Sequence, residues 1–231
     1  MDYLTDRIQQ KKWTQVVTAN PEIVMYAQNT ASYMTILQKA QMVVPDGIGI
    51  VYAAKIQRDP VCERVAGYDL LHQIMIKADQ HAWKVYLLGA SEEVNQLAYE
   101  QLKKQYTRAV LLGRHHGFFK DGSDEEKHII GEIAILKPDI LFVALGFPRQ
   151  EEWISQHQTN LQIPLCMGVG GSFDVLSGKV KRAPLLWQKL GLEWLHRLIS
   201  MPSRWRRMSV LPQFLLKQIF TKKNKNSLEK I

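Results

Sequence analysis

The sequence has little cysteine and no long apolar run, and these two absences exclude several classes of protein. Its two cysteines, Cys62 and Cys166, stand far apart and form no CxxC pair. This argues against a zinc ribbon or a disulfide scaffold and favours a reducing compartment such as the cytosol. No stretch approaches the roughly 18 apolar residues that a membrane span requires, and the residues after Met1 lack the pattern of a signal peptide. We therefore expect a cytoplasmic chain that does not cross the bilayer.

Three ligand-binding motifs are also missing. There is no Walker A sequence, and the glycine-rich loop at Gly168-Val169-Gly170-Gly171 has Phe173 where a GxGxxG motif has its third glycine. The DxD motif that holds a divalent cation in many nucleotide-sugar enzymes is absent. His115-His116 has no carboxylate or third histidine at ligand spacing. The sequence therefore disfavours a dinucleotide oxidoreductase and predicts neither a metal site nor a cofactor.

Acidic residues are scarce in the C-terminal region. The segment 179–231 contains 13 basic and 2 acidic residues, a net charge of +11, whereas residues 1–178 have a net charge of −3. Leucines and tryptophans alternate with arginines in two helices predicted at Pro184–Ser200 and Ser203–Phe220. This composition is typical of a helix in a membrane interface, although a basic tail also suits nucleic acid. We predict a main domain at 1–178 and a basic, amphipathic helical appendage for membrane association at 179–231.

The body of the chain alternates between apolar runs and segments of helical periodicity. The runs at Met42–Val44, Lys84–Gly89 and Ile140–Leu145 predict buried strands. Helices are predicted between them, including one at Asp124–Leu136 and one capped by Ser91. This alternation indicates an α/β fold, a Rossmann-like doubly wound and mainly parallel sheet with the helical basic C-terminal appendage.

Asp46 follows the Met42–Val44 run within a Pro45-Asp46-Gly47 turn. Loops at the carboxyl ends of strands are where open α/β sheets bind ligands. The same three residues are also ordinary turn chemistry. Taken alone, the turn leaves both interpretations of Asp46 open.

A series of such loops resembles, in order and over most of the chain, the WecG/TagA/CpsF glycosyltransferases. The segments that carry the resemblance are Thr18-Ala19-Asn20-Pro21, Pro45-Asp46-Gly47, Arg64-Val65-Ala66-Gly67-Tyr68-Asp69, Gly146-Phe147-Pro148-Arg149-Gln150-Glu151, Gly168-Val169-Gly170-Gly171-Ser172-Phe173-Asp174, Ser177-Gly178, Arg182-Ala183-Pro184, Leu192-Glu193-Trp194 and Arg197-Leu198. Each motif is weak by itself, but their common order is specific.

The resemblance implies a bacterial, metal-independent, inverting hexosyltransferase with residues 1–178 as its α/β catalytic domain. Such an enzyme moves N-acetylmannosamine from UDP-ManNAc to N-acetylglucosamine on undecaprenyl diphosphate, a step in teichoic acid linkage-unit synthesis and cell wall biogenesis. The expected partners are the UDP-sugar, the lipid-linked acceptor and an anionic membrane surface, with no nucleic acid. A homo-oligomer away from the membrane is possible on this view, and the expected location is the inner face of the cell membrane.

The resemblance also implies roles for individual residues. Asp46 is expected to be the general base. Independently of the resemblance, partial burial beside Val44 and Ile48 is expected to raise the pKa of its carboxyl. The residues expected to bind substrate are Thr18, Asn20, Arg64, Gly146, Gln150, Gly170, Asp174, Arg204 and Arg207.

Two alternatives remain open from the sequence. The same fold could use another UDP-sugar, such as UDP-ManNAcA, for another surface polysaccharide. The chain could instead be a non-enzymatic nucleotide-binding module with a nucleic-acid-binding tail. The apolar positions Leu186, Leu190, Leu195 and Leu198 favour a membrane over nucleic acid.

Overall fold

Six strands form one sheet in the computed structural model, which describes residues 1–58, 63–189, 191–200 and 210–217. The strands are β1 (Gln15–Ala19), β2 (Met42–Pro45), β3 (Lys84–Gly89), β4 (Val110–His115), β5 (Ile140–Ala144) and β6 (Leu165–Gly168). Their order is β2-β1-β6-β5-β3-β4, and the pairs β1·β6, β6·β5, β5·β3 and β3·β4 are parallel. Parallel neighbours require crossover connections, which here contain helices.

Helices precede β1, connect each strand to the next along the chain, and follow β6. They are α1 (Asp2–Gln9), α2 (Pro21–Asn29), α3 (Ala31–Lys39), α4 (Ile48–Gln57), α5 (Gly67–His81), α6 (Glu92–Gln105), α7 (Asp124–Leu136), α8 (Arg149–Gln156), α9 (Gln158–Leu161), α10 (Ser172–Leu176), α11 (Leu185–Lys189) and α12 (Glu193–Ser200). Residues 210–217 are also helical. The predicted α/β fold with a Rossmann-like parallel sheet is confirmed.

The central strands are the most deeply buried part of the sheet. All five residues of β5 and all four of β6 are buried, as expected for strands that have neighbours on both sides. Cys166 lies in β6, and burial raises the pKa of its thiol well above the ordinary value. The thiol therefore stays neutral and enclosed, which is the setting of a structural cysteine rather than a nucleophile.

The prediction that Met42–Val44 is a buried strand is wrong. This segment belongs to β2, which lies at the edge of the sheet, and Val43 is 45% exposed to solvent. A run of three apolar residues fits an edge strand as well as a central one, because periodicity cannot distinguish the two over so short a length. Asp46 therefore follows an edge strand.

The chain forms two compact units whose segments alternate along the sequence. The first unit contains Met1–Val17, Thr35–Val43 and Gly67–Lys181, and the second contains Thr18–Met34, Val44–Ala66 and Arg182–Ile231. The division at Gly178 stays a prediction, as does the role given to the appendage.

The prediction of one continuous helix at Pro184–Ser200 is also wrong. α11 and α12 are separate, and Gly191 between them has a left-handed backbone with φ of +70°. The N–H of Leu192 donates to the carbonyl of Trp187 and that of Gly191 to the carbonyl of Gln188, which is a Schellman motif. Glycine at this position ends α11 and lets the chain begin α12 in a new direction.

The second helix predicted in the appendage, Ser203–Phe220, extends beyond the described residues on both sides. Its part at 210–217 is helical. Across the portions of the chain that the structure describes, no helix has the length and apolar character needed to cross a membrane.

Candidate active site

A cavity of about 180 Å³ lies within the second unit. Its walls come from the loops after β1 and β2, the start of α4, and the C-terminal segments. The described residues that line it are Asn20, Pro21, Glu22, Asp46, Gly47, Ile48, Gly49, Arg64, Gly191, Glu193, Trp194, Val210 and Leu211. The cavity thus combines three carboxylates and one guanidinium with an apolar wall.

The backbone holds Asp46 at the rim of this cavity. Its N–H donates to the carbonyl of Ala19 at 2.7 Å, and the next residue, Gly47, has a φ of +125° that favours glycine. The carboxylate is 32% exposed, so it is partly enclosed but accessible. The turn at Pro45-Asp46-Gly47 therefore presents the carboxylate to the cavity, and its two interpretations are compatible.

Arg64 lies between two carboxylates. Its Nη2 donates to Oε2 of Glu193 at 2.5 Å, and its Nε is 3.9 Å from Oδ1 of Asp46. The neighbouring residue Val65 donates its N–H to the carbonyl of Pro45 at 2.9 Å. Arg64 and Asp46 are therefore held next to each other by the backbone as well as by charge.

The loop after β1 contributes Asn20 to the cavity. The side-chain oxygen of Asn20 accepts a hydrogen bond from the N–H of Ile23 at 2.9 Å and caps α2, while Pro21 occupies the first turn of that helix. Thr18 is a half-buried residue of β1 and is not among the described residues that line the cavity. The structure thus brings Asn20, Asp46 and Arg64 together.

Leu211 and Pro21 pack tightly against Gly49 in the cavity wall. A Cβ atom added to Gly49 would lie 2.4 Å from Cδ1 of Leu211 and 2.9 Å from Cγ of Pro21. Segment 210–217 is thereby brought directly against the first turn of α4. The C-terminal region therefore supplies part of the cavity wall through Leu211.

Three of the other predicted binding residues are tied together in the first unit. The N–H of Gln150 donates to the carbonyl of Gly146 at 2.9 Å, and the N–H of Gly170 donates to Oε1 of Gln150 at 3.0 Å. Gln150 is 4% exposed and also donates through Nε2 to Oε1 of Glu151. In this structure the side chain of Gln150 therefore fixes the glycine loop after β6.

Another predicted binding residue, Asp174, belongs to the first unit. Asp174 lies in α10, where its backbone carbonyl accepts from Oγ of Ser177 at 2.9 Å. Arg204 and Arg207 lie outside the described residues. The binding roles assigned to all these residues stay predictions.

Sequence reasoning assigned no role to Glu193, which the structure places in the cavity wall. It is only 5% exposed although it is a carboxylate. One signal was available, because Glu193 is one of the 2 acidic residues in the strongly basic segment 179–231.

The fold brings a carboxylate to His115-His116, contrary to the expectation from spacing. Oε1 of Glu125 lies 3.9 Å from Nε2 of His115 and 3.4 Å from Nε2 of His116, because the first turn of α7 returns to the end of β4. Nδ1 of His116 accepts from the N–H of Phe118, so Nε2 of a neutral His116 carries the proton and faces Glu125. His116 and Glu125 therefore form a histidine–carboxylate pair within the first unit.

Comparison with known proteins identifies the family. The family model described as "Glycosyl transferase WecG/TagA/CpsF family" matches residues 1–228. The chain belongs to this family of glycosyltransferases. The resemblance seen in the motifs is confirmed, and the choice between an enzyme and a non-enzymatic binding module is decided in favour of the enzyme.

Individual relatives within the WecG/TagA/CpsF family are similar over most of their length. A Bacillus spizizenii protein is 38% identical over 211 residues, which are 91% of this chain and 80% of the relative. A Staphylococcus aureus protein is 37% identical over 202 residues, which are 87% of this chain and 78% of the relative. Both relatives are named N-acetylglucosaminyldiphosphoundecaprenol N-acetyl-beta-D-mannosaminyltransferase.

Proposed function

We propose that this glycosyltransferase moves N-acetylmannosamine from UDP-ManNAc to N-acetylglucosamine on undecaprenyl diphosphate, with inversion and without a metal ion. The observation that carries the mechanism is the position of Asp46, at the rim of a cavity and 3.9 Å from Nε of Arg64. The names of the two relatives support the choice of sugar and acceptor. The reaction belongs to the assembly of a cell-surface polymer.

Asp46 acts as the general base in this mechanism. A hydroxyl of the acceptor sugar loses its proton to the carboxylate as the hydroxyl oxygen attacks the anomeric carbon of the donor. The bond between that carbon and the diphosphate breaks, and UDP leaves with the electron pair. Arg64 stands next to this base, with its Nε 3.9 Å from Oδ1 of Asp46.

Cationic side chains neutralise the charge that develops on the leaving diphosphate. Arginine suits this role because its planar fork of N–H donors matches phosphate oxygens. Arg64 is the arginine among the described cavity residues, and Arg204 and Arg207 are proposed to join it. Asn20 and Thr18 are proposed to bind the sugar by hydrogen bonds, and Gly146, Gln150, Gly170 and Asp174 to contribute to donor binding.

The protein is proposed to work at the inner face of the membrane, where the lipid-linked acceptor resides. Leu185, Leu186 and Ile199 in α11 and α12 are 72%, 66% and 64% exposed. Exposed leucines within a segment of net charge +11 are the composition that binds an anionic interface. Association into a homo-oligomer away from the membrane remains a prediction.

The substitution Asp46→Asn tests the role of the base. The full-length variant is incubated with a lipid-linked N-acetylglucosamine diphosphate and, separately, UDP-ManNAc, UDP-ManNAcA or UDP-GlcNAc, and the release of UDP is measured. We expect the wild type to prefer UDP-ManNAc and Asp46→Asn to lose activity by about 10²- to 10⁴-fold while still binding the donor.

Asp121→Asn is the matched control for this experiment. Asp121 is a 65% exposed carboxylate that pairs with Arg149 in the first unit, so its loss should leave the rate unchanged. Wild-type turnover by Asp46→Asn would eliminate Asp46 as the base. A preference for UDP-ManNAcA would keep the mechanism and change the donor.

A further inference from the structure

Glu193 is a buried carboxylate that the mechanism above does not use. It begins α12, is 5% exposed, and accepts a charge-assisted hydrogen bond from Nη2 of Arg64 at 2.5 Å. Removing a carboxylate from water is unfavourable unless a partner of opposite charge compensates. Arg64 supplies such an opposite charge to the buried Glu193.

The backbone around Glu193 fixes its location in the cavity wall. Gly191 ends α11 with a left-handed conformation, and the carbonyl of Leu192 accepts from the N–H of His196 as α12 begins. The chain at Gly191 packs on Ile48, which is the first residue of α4 and lies two positions after Asp46. The backbone geometry around Gly191 and the packing on Ile48 therefore fix the position of Glu193.

The Nε atom of Arg64 faces Asp46 and not Glu193. Nε of Arg64 is buried and has no hydrogen-bond partner among the residues that the structure describes. Its distance of 3.9 Å to Oδ1 of Asp46 is too long for a hydrogen bond. Arg64 is therefore bonded to Glu193 and stands beside Asp46 without a direct hydrogen bond through Nε.

We propose that Glu193 is a positioning residue that holds Arg64 by Nη2 and keeps its guanidinium group from forming a bidentate ion pair with Asp46. This inference rests on the proposed function of Asp46. An arginine fork binds a carboxylate through two parallel hydrogen bonds when nothing else restrains it. Such a pair would occupy the oxygens of Asp46 and stabilise the anion, and the carboxylate would then be a weaker base for the acceptor hydroxyl.

The charged residues around the cavity determine where Arg64 turns when Glu193 is absent. The charged residues that line it with Asp46, within the described part of the chain, are Glu22, Arg64 and Glu193. When Glu193 is removed, Asp46 is the carboxylate in the described part of the chain that still lies within ion-pair distance of Arg64, at 3.9 Å from its Nε. The guanidinium group then turns toward Asp46, and the base and its neighbouring cation become locked together.

The test compares Glu193→Gln and Glu193→Ala in the full chain, with kcat, both KM values and the pH dependence of kcat measured on UDP-ManNAc and the lipid-linked acceptor. Glu193→Ala should lower kcat by about 100-fold, the scale expected when a catalytic group is displaced by about 1 Å. The KM for the lipid-linked acceptor should stay close to wild type, the KM for the donor should rise because Arg64 turns away from the diphosphate, and the acidic limb of the pH profile should move to lower pH. Glu193→Gln should be affected less, because its amide oxygen still accepts from Nη2 of Arg64.

Two controls separate positioning from general loss of structure. Glu92→Gln removes an exposed ion pair with Arg114 in the first unit and should change neither kcat nor the pH profile. Glu193→Gln preserves side-chain volume, and its thermal unfolding shows whether it folds like the wild type.

The outcomes distinguish a failure of the positioning role of Glu193 from a failure of Asp46 as the base. Wild-type kcat and an unmoved acidic limb in a folded Glu193→Gln and Glu193→Ala would overturn the positioning role while leaving Asp46→Asn inactive and the base intact. A fall in kcat with an unmoved acidic limb would also overturn it, because a purely structural role predicts that pattern. Full activity of Asp46→Asn would instead remove the base, and the positioning role with it.

Discussion

Gly191 and Ile48 approach so closely that a Cβ atom on Gly191 would lie 2.8 Å from Cγ1 of Ile48. Ile48 begins α4 just after Asp46, and Gly191 precedes Glu193 by two residues. This contact therefore sets the separation between the chain segments that carry the two carboxylates. It explains why a glycine with a φ of +70° is needed there.

Replacing Gly191 by alanine should destabilise the protein by about 1–3 kcal/mol, because the new Cβ meets Ile48 and the left-handed backbone is unfavourable for alanine. Activity should fall as well, since Glu193 and Asp46 are both displaced. Urea unfolding and UDP release measure the two effects.

Gly131→Ala is the control for this substitution. Gly131 lies within α7, and nothing is within 4 Å of its added Cβ. Alanine should raise the free energy of unfolding there by roughly 0.5–1 kcal/mol, because it is the better helix former. If Gly191→Ala unfolded at the wild-type urea concentration, the proposed importance of this contact would be wrong.

A second prediction concerns Gly168 and Gln150 in the first unit. A Cβ on Gly168 would lie 2.6 Å from Nε2 of Gln150, so Gly168→Ala should destabilise by about 1–3 kcal/mol through overpacking. Gln150→Ala should also cost about 1–3 kcal/mol, since it removes the acceptor for the N–H of Gly170.

The double variant should be more stable than the sum of these two losses predicts, because Gln150→Ala removes Nε2 and Cδ of Gln150 and leaves only Oε1 of Glu151 among the three nearest atoms that the new methyl group would strike. Urea unfolding of the four proteins forms the double-mutant cycle. Strict additivity would show that the glycine is not required by the side chain of Gln150.

The sequence was sufficient for the α/β class and for most helices and strands, since these depend on local periodicity. α7 was predicted with its exact bounds at Asp124–Leu136, and the capping role of Ser91 before α6 is confirmed by its bond from the N–H of Val94. Local chemistry of this kind is readable because capping residues and apolar spacing act within a few positions.

The features that the sequence left out depend on contacts between distant segments. Glu193 reaches Arg64 across 129 positions of the chain, and no local pattern records that pairing. The exposed position of β2 depends on the strand order, which is likewise nonlocal. The break at Gly191 had a local signal, the glycine itself, but the surrounding apolar spacing favoured a continuous helix.

The proposed membrane role leads to the last prediction. Leu185 and Leu186 are 72% and 66% exposed, and each buried leucine contributes about 1.5–3 kcal/mol when it leaves water. The double substitution Leu185→Asp and Leu186→Asp should therefore reduce binding to anionic phosphatidylglycerol vesicles by about tenfold or more, as measured by sedimentation.

Phe118→Asp is the matched control, because Phe118 is 79% exposed but belongs to the first unit. It should sediment with the vesicles as the wild type does, and neutral phosphatidylcholine vesicles should bind every variant more weakly because the attraction of the basic segment to the surface is lost. Unchanged binding by the double variant, or an equal loss from Phe118→Asp, would show that α11 does not enter the interface. Membrane attachment would then have to come from charge alone, which vesicle binding at increasing salt concentration would reveal as a steep decline.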